Sequence, residues 1–180
     1  MFRHRGTAPV PLLALQLAVA PAVPALWAGA WVPVLAGLGL RAWGVGHLGA
    51  RSRTRGASDW SLVDSGPFSR MRNPLYLGNG LIWLGVGLAS SPAWAVGWAL
   101  FLAVHYTLVV AWEEAHLVEV LGAPYVDYLS RVPRWLPGGT GRPGGAWALG
   151  EVVRGERSTW LAAALVMGAL WIRGMGLGVS

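Results

Sequence analysis

Ala93 to Ala111, AWAVGWALFLAVHYTLVVA, is a run of nineteen residues without a charge, closed by Trp112-Glu113-Glu114. A hydrocarbon layer roughly 30 Å thick needs about 20 apolar residues in a helix, and inside it every backbone amide must find a partner within its own segment. This run has the required length, and it has companions. Leu75 to Ala89 precedes it across the tight turn Ser90-Ser91-Pro92. Trp31 to Gly49 comes earlier, interrupted by Arg41, and Val10 to Gly29 opens the chain with prolines at 11, 21 and 24 that are expected to kink it. A fifth, shorter run extends from Thr159 to Met175. The pattern predicts an all-α, polytopic membrane helix bundle with about five crossings.

Composition points the same way. Of 180 residues, 54% are hydrophobic and only 12% are charged, against about a quarter charged in a soluble domain of ordinary make-up. Twelve tryptophans and a positive mean hydropathy add to the case for lipid as the main solvent. There is no cysteine, which excludes disulfides and thiolate metal sites, and no lysine, which excludes a catalytic amine or Schiff base. The net charge of +6 would suit nucleic acid if the arginines shared one polar face. They stand instead in short blocks between apolar runs, which is a topology signal.

With the N-terminus placed in the cytoplasm, Arg3, Arg5, Arg51, Arg53, Arg55, Arg70, Arg72, Arg131, Arg134, Arg142, Arg154 and Arg157 all fall on that side. Arg41 lies within a span, and only Arg173 falls at the far side. The opposite orientation would reverse the positive-inside bias. Met1-Phe2-Arg3-His4-Arg5 and Ala28-Gly29-Ala30 resemble the two ends of a secretory signal. The apolar stretch between them is long for that, and another follows at once, so a retained helix is expected. Three regions result: an N-terminal helical hairpin (1–49), a core with two crossings and two polar stretches (50–137), and a glycine-rich linker with the fifth segment (138–180). The linker, Gly138-Gly139-Thr140-Gly141-Arg142-Pro143-Gly144-Gly145, is expected to resist ordering.

Polar residues gather at the cytoplasmic ends of the third and fourth spans. The first cluster runs from Gly66-Pro67-Phe68 through Arg70-Met71-Arg72-Asn73-Pro74-Leu75-Tyr76-Leu77-Gly78. Asn73 before Pro74 reads as an N-cap and first helical residue. The positive end of that helix beside Arg70 and Arg72 suits a carboxylate or phosphate, and equally an ordinary capped helix with arginines at lipid headgroups. Gly78 and Gly80 leave room for a flat ligand or another helix. The second cluster is Glu113-Glu114; neighbours on a helix diverge by about 100°, so one acid can face the bundle while the other pairs an arginine. A helix end reaching water explains them as well. The third cluster is Leu121-Gly122-Ala123-Pro124-Tyr125-Val126-Asp127-Tyr128-Leu129-Ser130-Arg131-Val132-Pro133-Arg134-Trp135-Leu136-Pro137. Tyr125, Tyr128 and Arg131 recur at a spacing of three and should share one face, as a binding surface or as an interfacial aromatic belt. His4, His47, His105 and His116 lack metal-ligand spacing, and there is no nucleophile elbow or phosphate loop, so neither metal nor nucleic acid is expected.

The three clusters in this order resemble the superfamily of isoprenylcysteine carboxyl methyltransferases and phospholipid N-methyltransferases. Its pattern is Gly-Pro-aromatic, then Arg-His/Asn-Pro-x-Tyr-x-Gly opening a membrane helix. Glu-Glu-x-x-Leu and a Gly-x-x-Tyr-x-x-Tyr-x-x-Arg-Val-Pro stretch follow. The likeness covers residues 64–137. Asn73 stands where the prenylcysteine branch has histidine, as in phospholipid N-methyltransferases. The resemblance implies S-adenosylmethionine as cofactor and a lipid-like or membrane-dissolved acceptor reached from the bilayer. It implies an integral protein of a cytoplasmic membrane, such as a bacterial inner membrane, with the site facing the cytoplasm. By the same resemblance Asn73, Tyr76 and Glu114 hold the cofactor with Glu113 assisting or pairing an arginine, and Arg72 or Arg134 takes its carboxylate. Pro74, Gly78, Tyr125 and Tyr128 complete that set. Arg131 orients the acceptor, and Glu114 takes a proton if the acceptor is an amine. A membrane reductase using a nicotinamide cofactor, or a non-catalytic protein of the same fold, are the rival expectations.

Overall fold

The structure, a computed structural model, describes residues 7–20, 27–49, 62–140 and 144–176. Among them all regular structure is helical: α1 (Val10–Val19), α2 (Trp27–Leu48), a 3-10 turn (Gly66–Ser69), α3 (Pro74–Leu88), α4 (Pro92–Leu121), α5 (Ala123–Arg131) and α6 (Leu149–Gly176). Three are long and apolar enough to cross a membrane: Trp27–Leu48, Pro92–Leu121 and Leu149–Met175. Val10–Val19 and Pro74–Leu88 are apolar but shorter. The all-α membrane bundle therefore stands, with three full-length spans where five crossings were expected.

Prolines and glycines explain the revised lengths. Within the expected first crossing, α1 ends at Val19, and Ala20, the residue before Pro21, is extended at φ −77°, ψ 136°, the conformation a following proline favours; residues 21–26 lie outside the described residues. Ten residues reach only about 15 Å, half a bilayer core. The second run begins earlier than expected, at Trp27, with Pro33 inside it. The third matches within one residue, and Ser91 caps α4 by accepting from the Trp94 amide at 3.3 Å. α4 continues well past Glu113-Glu114 and ends only at Gly122, whose φ of +62° lies where a side chain is strained. The fifth segment starts at Leu149, ahead of the expected Thr159.

Small residues let the helices close up. A Cβ on Gly78 of α3 would lie 2.6 Å from the Arg41 Cγ and 2.9 Å from the Gly37 carbonyl oxygen of α2, so the two backbones touch there. One core joins Trp27, Ala30 and Val34 to Val86 of α3, to Ala89 just after it and to Met167 and Leu170 of α6. Trp83 and Trp98 stack at 4.3 Å between α3 and α4. The buried Gln16 of α1 donates to the Val86 carbonyl (2.8 Å) and the Ser90 hydroxyl (2.9 Å) and accepts from the Trp98 indole (2.6 Å), which satisfies its amide without water. Val96, Leu100, Val104 and Leu108, each four residues on, are exposed and form a lipid-facing stripe. The chain is an integral membrane protein. The end of α2, the starts of α3 and α6 and the last turns of α4 collect at one end of the bundle, and the polar loops meet there.

Candidate functional site

At that end a buried carboxylate, Glu114, ties three distant stretches together. It lies in the part of α4 that outruns the apolar segment, with its side chain 8% exposed. From the loop after α5, Arg134 donates to its Oε2 through Nη2 (2.6 Å) and Nε (3.1 Å). From the loop before α3, Arg72 Nε lies 3.1 Å from Oε1 and Asn73 Nδ2 donates to Oε1 at 3.3 Å. A carboxylate this buried is tolerable only because donors surround it. Asn73 does not cap α3 with its side chain, as the sequence suggested. Its amide is drawn instead to Glu114 and to the Arg134 carbonyl (3.2 Å). The helix nevertheless starts at Pro74, which is buried.

Glu113 points elsewhere, and its Oε2 accepts from the Tyr76 hydroxyl at 2.8 Å. The two acids divide, as their 100° separation requires. Glu114 meets Arg72 and Arg134, while Glu113 takes the phenol. The loops are themselves clamped. Arg72 N donates to the Pro133 carbonyl, the Gly138 and Gly139 amides donate to the Arg70 carbonyl, and Arg72 Nη1 donates to the Leu129 carbonyl at 3.1 Å. The start of the glycine linker is thus pinned rather than loose, and residues 141–143 lie outside the described residues. A Cβ on Gly139 would come within 2.6 Å of the Ser69 carbonyl oxygen, so glycine permits that approach.

Tyr125 and Tyr128 are buried, and the Tyr128 hydroxyl donates to the Phe68 carbonyl at 2.7 Å. Burial first, then the negative charge of Glu114, pushes Tyr125 up to about 12, and burial raises Tyr128 further. Both remain neutral phenols at physiological pH and act as packing and hydrogen-bonding groups. Arg131 does not join their face; it turns outward and donates to the Asp127 carboxylate at 2.8 Å and 3.0 Å. It lines, with Arg72, Ser130, Pro133 and Leu136, an open cleft of about 480 Å³. That volume falls within the range of about 300–1,000 Å³ usual for small-molecule sites. Gly78 is spent on the contact with α2. The structure thus gathers Arg72, Asn73, Tyr76, Glu113, Glu114 and Arg134, sets Arg131 on the cleft wall, and leaves Gly78 outside. Sequence reasoning missed Asn79 and Tyr106, whose rings and amide back Tyr76: the Tyr76 and Tyr106 rings are 5.0 Å apart, and Asn79 lies within hydrogen-bonding reach of Tyr106. The available signal was an asparagine three residues after Tyr76 in an apolar helix.

A sequence profile of phospholipid methyltransferases matches residues 25–123, from the threshold of α2 to the start of α5. The cobalt-zinc-cadmium resistance protein CzcN of Cupriavidus metallidurans is 34% identical over 116 residues, 62% of this chain and 53% of that protein. The chain therefore spans about half the length of that curated relative. No solved structure gives a significant match. The profile takes in α2, α3, the whole of α4 and both acids, more than half of the sequence, and the chain belongs to the phospholipid methyltransferase family.

Proposed function

We propose that the chain transfers a methyl group from S-adenosylmethionine to a lipid-like or membrane-dissolved acceptor, at the bundle end where Arg72, Glu114 and Arg134 meet. The observation that carries this is the buried Glu114, which joins the start of α3, the paired acids and the loop after α5 into one cluster. The residues fit the cofactor's chemistry. An amino acid zwitterion with a ribose needs anionic, cationic and hydroxyl-reading partners together, and this cluster supplies two carboxylates, two guanidinium groups, an amide and a phenol. Arg72 Nε, buried and 3.1 Å from Glu114 Oε1, makes no well-aligned hydrogen bond there. Arg72 and Arg134 would hold the carboxylate as planar forks, and Asn73, Tyr76, Glu113 and Glu114 the amino and hydroxyl groups.

When bound, the cofactor supplies a methyl already carried on a positive sulfur. What remains for the protein is alignment and exclusion of water. Both Glu114 oxygens are engaged by donors, which suits holding more than proton transfer. Arg131 on the cleft wall is placed to orient the acceptor. The positive-inside distribution of the arginines supports a cytoplasmic position for this end, in keeping with a cytoplasmic membrane.

Incubating the purified protein with methyl-labelled cofactor and a membrane lipid extract should give a labelled, extractable product; absence of any product across several extracts counts against transfer to a lipid-like acceptor. Arg131→Lys should leave cofactor affinity within about twofold and lower turnover roughly tenfold or more, since lysine cannot replace a planar fork. Full activity would remove Arg131 from the reaction. Tyr76→Phe deletes the hydroxyl that Glu113 accepts; a hydrogen bond to a charged group contributes about 1.5–3 kcal/mol, so cofactor affinity should fall roughly tenfold. Isothermal titration with S-adenosylhomocysteine measures both.

A further inference from the structure

Away from the cluster, a second polar group lies between helices. Arg41, about two turns before the end of α2, donates from Nε to Glu156 Oε2 at 2.8 Å and from Nη2 to Glu156 Oε1 at 2.6 Å. Its Nη1 donates to Asn79 Oδ1 at 2.8 Å, and Nη2 lies 3.4 Å from the Thr159 hydroxyl. The arginine side chain is 14% exposed and the glutamate 1%. Glu156 belongs to α6, in a stretch that reads in sequence as a polar loop, and α6 lies wholly outside the segment matched by the family profile.

A bidentate pair of this burial about breaks even against two apolar side chains of equal volume. Stability alone gives no reason to keep it. Direction does. Asn79 Oδ1 is held by Arg41, and the same side chain lies within hydrogen-bonding reach of Tyr106, to which its amide nitrogen is left to donate. Asn79 and Tyr76 are three residues apart on α3 and share a face. Tyr106 packs on Tyr76 with ring centres 5.0 Å apart, and Tyr76 donates to Glu113. A chain of contacts runs from α6 through α2 and α3 to the phenol beside the paired acids.

We infer that Arg41 and Glu156 are positioning residues: the pair fastens α6 to α2 and α3 and fixes the Asn79 amide, so that Tyr106 and Tyr76 are held in one arrangement against Glu113. The inference rests on the reading of Tyr76 and Glu113 as part of the methyl-transfer site. It assigns the C-terminal helix a part in that site, through side chains that touch neither cofactor nor acceptor.

The chain has four tyrosines, so 3-fluorotyrosine labelling gives four fluorine resonances, assignable by single Tyr→Phe changes. Glu156→Leu alone should lower the melting temperature in detergent by leaving Arg41 unpaired. The double variant Arg41→Leu/Glu156→Leu should restore it to within a few degrees of the parent. In that double variant the Tyr76 and Tyr106 resonances should shift or broaden while those of Tyr125 and Tyr128 stay, and affinity for S-adenosylhomocysteine should fall roughly tenfold. A purely structural pair predicts that affinity recovers with stability; that result, or unmoved Tyr76 and Tyr106 resonances, overturns the inference. Should the double variant not fold, Asn79→Leu leaves the ion pair intact and is read by the same resonances, which must move. Failure of the parent protein to bind S-adenosylhomocysteine would sink the proposed function, while the fluorine comparison still decides the positioning role.

Discussion

Replacing Glu114 with alanine is expected to abolish cofactor binding and to cost about 3–5 kcal/mol of stability, the range for removing one partner of a buried ion pair. The size of the effect follows from what the carboxylate holds. Arg72 and Arg134 would lose the carboxylate that pairs them, the Asn73 amide would lose one of its two acceptors, and the loops before α3 and after α5 would part. The melting temperature of the detergent-solubilised protein measures the structural share. Glu114→Gln keeps the volume and one acceptor oxygen, so it should fold, and it isolates the charge. An alanine variant as stable as the parent would mean that the cluster is loosely held and the site misread.

The second large effect is steric. Gly78→Val should disrupt the seam between α2 and α3, because its Cβ would fall 2.6 Å from the Arg41 Cγ and 2.9 Å from a backbone oxygen. The side chain could bend away, but the Gly37 carbonyl cannot without moving α2. Overpacking of this kind costs about 1–3 kcal/mol. Here it also displaces α3, which carries Asn73, Tyr76 and Asn79, so turnover should fall more than stability does. Gly80 provides the contrast. A Cβ there meets nothing within 4 Å, and Gly80→Ala should be neutral or stabilising by up to about 1 kcal/mol through helix propensity. Thermal unfolding of the two variants, side by side, separates close packing from a general intolerance of α3 to substitution.

Much of the fold was legible because lipid imposes simple rules. Long apolar runs gave α2, α3, α4 and α6 their places, and Pro74, Ser91-Pro92 and Gly122 marked helix boundaries that the structure keeps. The errors have physical causes as well. Glu113-Glu114 reads as the end of a helix because charge signals water, yet a helix ends where its backbone can no longer continue, and that is Gly122. Val10 to Gly29 carries Pro21, and the helix described at its start ends at Val19. Asn73 fits an N-cap locally, but its amide answers to Glu114, forty-one residues away. That the paired acids divide was readable from helical rotation; which one meets the arginines depends on how α4 is turned against α3, and no local pattern encodes it. Arg41 stands within an apolar run, where a charge needs a partner. Its distance of 115 residues to Glu156, across a linker, hid which acid it was. Arg131 shares its spacing with Tyr125 and Tyr128, but its long side chain reaches back one turn to Asp127.

The most direct test is titration of S-adenosylhomocysteine into the detergent-purified parent and into Glu114→Gln, with a reduced nicotinamide dinucleotide as control. Saturable binding by the parent, at least about tenfold weaker binding by the variant with a melting temperature lowered less than in Glu114→Ala, and no response to the dinucleotide are the predicted results. Equal affinity in the two proteins, or preference for the dinucleotide, would contradict the placement of the cofactor at Glu114.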